Sequence, residues 1–255
     1  MVFEHSEVRA LILREYGFGV SVNALAGYDE QNVRLTNAEG KNFLLKIAPE
    51  RAGLPFLEAQ IAILQHLAGT AMAPHFQQCI RSKDGEYIVK VERDGQVYYM
   101  RLFTFIEGHF WVDQSIRSHR LHMELGSFVG QMDKLLGDFS HPAMHRHYTW
   151  DISTALDNLH EIDAIRDPEL KRIAGYFLLQ FQTEVMPVLY TLRHAYVHND
   201  ANDYNVLVEG DRIIGLIDFG DMVHTALINN LAVACTYAML GEEDPLAVAA
   251  SVVKG

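Results

Sequence analysis

The chain has 255 residues, 49% of them hydrophobic and 21% charged, with 33 acidic against 21 basic residues and a formal charge of −12. Such a composition supports a sizeable core and excludes a disordered chain. The negative balance argues against nucleic acid as a partner and favours cationic ligands. Two cysteines, Cys79 and Cys235, are too far apart for metal-type spacing or a disulfide framework, and the acidic N-terminus lacks the basic and apolar regions of a signal peptide. A cytoplasmic location is therefore expected. So is the absence of membrane contact, because the most apolar stretch, Leu231 to Leu240, is too short to span a bilayer.

In chain order, Ser6 and Glu7 followed by Val8, Leu11 and Ile12 predict a capped amphipathic helix ending near Gly17. Short segments rich in β-formers follow at Val20 to Leu25, Asn32 to Leu35 and Asn42 to Ile47, separated by turn residues such as Gly27, Asp29 and Gly40. Pro55 opens a helix in which Leu57, Ile61, Leu64 and Leu67 recur at helical spacing up to Gly69. Two more extended stretches, Glu86 to Glu92 and Gln96 to Phe105, flank a charged turn. These pieces predict a five-stranded antiparallel sheet with one helix over residues 1–106. Residues 107–255 read as mainly helical, with Leu121, Leu125, Phe128 and Met132 on one stripe and a second run from Pro168 to Tyr190. The expected class is α+β, two-lobed, with a sheet-rich first lobe and a helical second lobe. Leu246, Val248, Val252 and Val253 continue an apolar helical pattern to the C-terminus, which suggests a domain belonging to a longer protein.

One segment interrupts the helical lobe. Between Ala195 and Asp221 the text reads AYVHNDANDYNVLVEGDRIIGLIDFGD, in which strands at Val206 to Val208 and Ile213 to Ile217 are joined by a turn at Gly210 and Asp211. The hairpin brings Asp200 and Asn205 to the same end as Asp218. Carboxylates gathered in this way without an adjacent Lys or Arg call for a hard cation, and Mg2+ is the expected one.

HNDANDYN and IDFG resemble the catalytic-loop and metal-binding motifs of the aminoglycoside phosphotransferase and choline kinase superfamily, whose fold is that of protein kinases. The resemblance runs along nearly the whole chain and is closest to the hydroxylysine kinase branch, which includes forms fused to class III aminotransferases. It implies a small-molecule kinase using ATP or GTP. Asp200 would be the catalytic base, with His198 bracing its loop, and Asn205 and Asp218 would be metal ligands. Lys46, on the third strand in FLLKI, would meet the nucleotide phosphates and be oriented by Glu58. No G-x-G-x-x-G is present, so Gly27, Tyr28, Asp29, Gln31 and Asn32 would cover the phosphates through backbone amides. Thr104, Phe105 and Ile106 would meet the purine at the hinge.

Beyond Asp218 the chain reads as running straight into a helix, with no room for an activation loop, which points away from a protein substrate. The resemblance implies an acceptor combining a hydroxyl with a cationic amine. A hydroxylysine-like amino alcohol is favoured over an aminoglycoside, choline, ethanolamine or homoserine, with Asp203 and Asp221 as candidate amine contacts. The alternative is a nucleotide-binding module without turnover inside a larger fusion protein, with an aminotransferase as fused or partner domain. A zinc site at His141, His145 and His147 is the weakest reading, because Pro142 breaks a ligand helix there.

Overall fold

The computed structural model describes residues 2–255. The chain divides into a first unit ending at Glu107 and a second beginning at Gly108.

The first unit opens with α1 (His5–Tyr16), followed by β1 (Val20–Ala24), β2 (Gln31–Asn37), β3 (Asn42–Pro49), α2 (Leu54–Ala68), β4 (Cys79–Ile80), β5 (Val89–Arg93) and β6 (Gln96–Thr104). The N-cap of α1 is Glu4 rather than Ser6. Its backbone N–H donates to Glu7 Oε2 at 2.7 Å, so the acid three residues on satisfies an amide that Ser6, already inside the helix, does not. Gly17 ends α1 at φ 85°, a left-handed conformation that a side chain would strain.

The strands pair antiparallel in the order β1-β2-β3-β6-β4, with β5 also on β6. The sheet thus has six strands, not five. The extra one, Cys79–Ile80, is only two residues long and shows no alternation that a sequence pattern could register. Glu86 to Ile88 lie outside β5. Val8 and Ile12 of α1 pack with Val22, Val33, Leu45, Ile47, Met100 and Leu102, all buried, so one face of the sheet carries an apolar core. On α2, Leu57, Ile61, Leu64 and Leu67 are buried, as the helical spacing predicts.

The second unit contains β7 (His109–Phe110), α3 (His119–Leu135), a 3-10 segment over Ile152–Ala164, α4 (Pro168–Gln180), a π turn over Phe181–Val185, α5 (Met186–Leu189), β8 (His194–Val197), β9 (Val206–Glu209), β10 (Arg212–Leu216), β11 (Val223–Ala226), α6 (Ile228–Met239) and α7 (Pro245–Lys254). The π turn precedes Pro187, which has no N–H to give the carbonyl four residues back, and the ladder slips there. Leu121, Leu125, Phe128 and Met132 of α3 are buried. Gly126 lets α3 and α7 touch, since a Cβ there would lie 1.8 Å from the carbonyl oxygen of Val252. β11 corrects the expected direct run from Asp218 into a helix. Val223 to Ala226 form a strand against β8, and α6 starts two residues later.

Candidate active site

In the second unit, two antiparallel pairs assemble the polar segment. In β9–β10 Val206 pairs with Leu216, which sets Asn205 beside Ile217, and the Ile217 N–H donates to the Asn205 carbonyl at 3.0 Å. In β8–β11 Val197 pairs with Val223, which runs residues 198–200 alongside 220–222. The loop from His198 to Asn205 is thereby pinned at both ends by main-chain bonds.

His198 is fully buried. Its Nε2 bonds the Ile217 carbonyl at 3.1 Å and must be the protonated nitrogen, while Nδ1 accepts the Asp200 N–H at 3.3 Å. His198 therefore ties the start of the loop to the strand that ends at Asp218. Asn199, at φ 65°, gives its N–H to Asn230 Oδ1 at 3.1 Å, and Asn230 Nδ2 reaches Asp133 at 2.6 Å. Asp200 Oδ1 accepts from Asn202 Nδ2 at 2.9 Å and Oδ2 from Asn205 Nδ2 at 2.6 Å. Burial, followed by the charge of Asp221 and with a smaller contribution from Asp218, pushes the Asp200 carboxyl up to about 7, against the lowering effect of the Asn202 hydrogen bond. Asp218 sits at φ 63° and accepts the Gly220 N–H at 3.3 Å.

A clasp that the sequence did not advertise holds the next residues. Arg146 donates from Nε to the Met222 carbonyl at 3.2 Å and from Nη2 to the Gly220 carbonyl at 2.9 Å, and its guanidinium lies 4.0 Å from the centre of the Tyr148 ring. The Tyr148 hydroxyl donates to Asp221 Oδ1. Asp221 is thus engaged by tyrosine and does not sit at a helix N-terminus. Asp203 is half-buried, and its carbonyl accepts the Val112 N–H at 3.0 Å. The buried Asp151 accepts from Ser153 N, Thr225 Oγ1 and Asn229 Nδ2 at 2.9, 2.9 and 3.1 Å, anchoring the 3-10 segment to β11 and α6. The only sequence signals for these residues were the dense polar text HRHYTWD and two asparagines at the head of an apolar helix.

The donor set suits a hard divalent cation. It offers carboxylates whose charges oppose one another, and Asn205, which spends its amide N–H group on Asp200 while its Oδ1 makes no hydrogen bond among the described residues. No group of three or more His, Cys, Asp or Glu among the described residues is arranged to hold a metal. Of the zinc candidates, His145 bonds the Tyr196 hydroxyl at 2.9 Å, His141 accepts the Ala143 N–H at 3.3 Å, and His147 lies 2.8 Å from Asp157.

In the first unit, Lys46 is buried on β3, opposite Asn32 on β2 and Arg101 on β6. Glu58 is exposed on α2. The polar residue that α2 buries is Gln60, which accepts from Arg101 Nη1. Helix phase explains this placement: Leu57, Ile61 and Leu64 must face the core, and that turn carries Glu58 outward while it carries Gln60 inward.

Gly27, Tyr28 and Asp29 form an exposed turn between β1 and β2. Asn32 closes it by donating to the Ala26 carbonyl at 3.0 Å. Gln31 is committed to the backbone of Val2 and Phe3, at 3.0 and 2.8 Å. At the end of β6, Thr104 exchanges hydrogen bonds with Gln78, Arg34 lies over the Phe105 ring at 4.8 Å, and Ile106 is half-buried.

Comparison with known proteins agrees with this geometry. The family model described as the phosphotransferase enzyme family matches residues 21–254. A hydroxylysine kinase of Mus musculus is 27% identical over 281 residues, spanning 100% of this chain and 74% of the relative. Among solved structures, an amicoumacin kinase in complex with AMP-PNP, Ca2+ and its ligand superposes with TM-score 0.76 at 17% identity, over 99% of this chain and 77% of that one. A microcompartment-associated aminopropanol kinase superposes with TM-score 0.65 at 14% identity, over 97% and 79%. The fold is therefore the protein-kinase-like one, and the chain belongs to the phosphotransferase enzyme family, whose chemistry is phosphoryl transfer to a hydroxyl.

Proposed function

We propose that this protein is a small-molecule kinase that transfers the γ-phosphoryl group of ATP or GTP to a hydroxyl on an amine-bearing acceptor, with a hydroxylysine-like amino alcohol as the favoured substrate. The observation that carries the chemistry is Asp200. Its carboxyl is oriented by two amides and pushed up to about 7 by burial and by its neighbouring carboxylates. A carboxyl raised in this way is poised near neutral pH to take the proton of an attacking hydroxyl. Asn205 and Asp218 would hold magnesium, which when bound supplies charge neutralisation between the nucleotide phosphates. Lys46 would meet the phosphates, the Gly27–Asn32 turn would cover them, and residues 104–106 would meet the purine.

The amine preference is supported by the likeness to hydroxylysine kinases and by the acidic cluster of Asp200, Asp203 and Asp221, whose charges together raise the Tyr237 hydroxyl after burial has done so. A carboxylate already engaged by Tyr148 keeps a second oxygen for an ammonium group.

Steady-state kinetics with a panel of hydroxylysine, ethanolamine, choline, homoserine and an aminoglycoside test the reading. Hydroxylysine is expected to give the highest kcat/KM. Asp200→Asn is expected to lower kcat by about a thousandfold or more with nucleotide binding retained. Equal loss of binding and turnover in that variant, or turnover unchanged by it, would refute the assignment.

A further inference from the structure

The buried ionic anchor of the first unit is made by residues outside the lysine–glutamate pair that the sequence suggests. Asn32, Lys46 and Arg101 are direct cross-strand partners on β2, β3 and β6. Directly paired residues project from the same face of a sheet, so the three stand abreast with Lys46 in the middle. Arg101 is 0% exposed. Its Nη2 donates to both carboxylate oxygens of Glu30, at 2.6 and 2.5 Å, and its Nη1 donates to Gln60.

Glu30 belongs to the turn between β1 and β2, so this ion pair reaches from the turn across β3 to β6. The turn is cinched at the same point: a Cβ on Gly27 would lie 2.3 Å from the Glu30 carbonyl oxygen, and Asn32 donates to Ala26. A fully buried guanidinium is tolerated only when paired, so Arg101 holds Glu30, and through it the turn, far more firmly than a surface ion pair would.

We infer that Glu30 and Arg101 are positioning residues for the triphosphate of the nucleotide: their ion pair fixes the Gly27–Asn32 turn over the face that carries Lys46. The inference rests on the phosphoryl-transfer reading. Backbone amides bind phosphate well only when the loop bearing them is held in place beforehand, and the turn of Gly27, Tyr28 and Asp29 is exposed. In this arrangement the acid that meets Arg101 comes from the turn, and rigidity of the turn depends on that contact.

The test uses the full chain with Glu30→Gln, which removes the charge at nearly constant shape, and Glu30→Asp, which keeps the charge but shortens the reach. Nucleotide and acceptor KM are measured by steady-state kinetics, nucleotide Kd by titration with a fluorescent ATP analogue, and folding by thermal denaturation. Glu30→Gln is expected to raise nucleotide KM and Kd about tenfold with acceptor KM within about twofold, and Glu30→Asp to fall between it and wild type. Nucleotide KM and Kd unmoved in both variants, or nucleotide and acceptor KM raised alike, would overturn the inference. Absence of turnover in the wild type would refute the kinase reading, while the titration would still decide the role of Glu30.

Discussion

Asn199 and Asp218 adopt backbone conformations that side-chain-bearing residues rarely adopt, at φ 65° and 63°. Asparagine and aspartate tolerate this left-handed region better than other residues, so each position combines a polar role with a conformational one. Asp218→Asn keeps that tolerance while removing the charge. It is expected to weaken binding of the magnesium–nucleotide complex by about tenfold or more with an unchanged unfolding midpoint, measured by titration and thermal denaturation. Asp218→Ala is expected to lose about 1 kcal/mol of stability in addition, because alanine is strained at positive φ. The meeting of Asp200 with Asn205 was legible in the sequence because both lie within one short loop beside a hairpin of evident strand character. The engagement of Asp221 by Tyr148 was not, because 73 residues separate them and neither sits in a periodic pattern.

Among the elements, α3 makes two demands that local pattern did not reveal. Gly126 has no turn to make and no positive φ; it is small because the Val252 backbone of α7 lies against it. Gly126→Ala is expected to destabilise the protein by about 2 kcal/mol, read as a lower denaturation midpoint with an unchanged slope. Asp133, near the end of the same helix, is pushed up to about 7 by burial, with Asn230 holding it back. A carboxyl raised in this way contributes stability fully below its unfolded value near 3.8, and that contribution is lost as pH rises through about 7. Urea midpoints of the wild type are accordingly expected to carry a component that falls between about pH 4 and 7, and Asp133→Asn is expected to remove it. The same residue braces Asn230 and through it the backbone of Asn199, which links the helix to the loop from His198 to Asn205.

At the scale of the molecule, no helix among the described residues is long and apolar enough to cross a membrane, and the formal charge of −12 suits a cationic acceptor better than an anionic one. Nucleotide with magnesium at about a hundred times its Kd is expected to raise the melting temperature by about 5 °C or more, and nucleotide without a divalent cation by clearly less, in a thermal-shift measurement. Equal shifts with and without the cation would count against Asn205 and Asp218 as its ligands.

The sequence by itself determined the fold class, a sheet followed by helices, and the placement of a polar, acidic segment around one hairpin. Those properties follow from local periodicity and turn chemistry, which act over a few residues. The tertiary structure alone decided which acid meets which cation. Glu58 reads as the natural partner of Lys46; the apolar phase of α2 leaves it exposed, and the carboxylate that meets the buried Arg101 arrives from Glu30, 71 residues before it. It also decided that Cys79 and Ile80 form a strand and that Val223 to Ala226 do so before α6. A two-residue strand has no pattern of its own and exists because β6 supplies its partners. Ion pairs and short strands of this kind are set by contacts across the fold, and local sequence carries no period that encodes them.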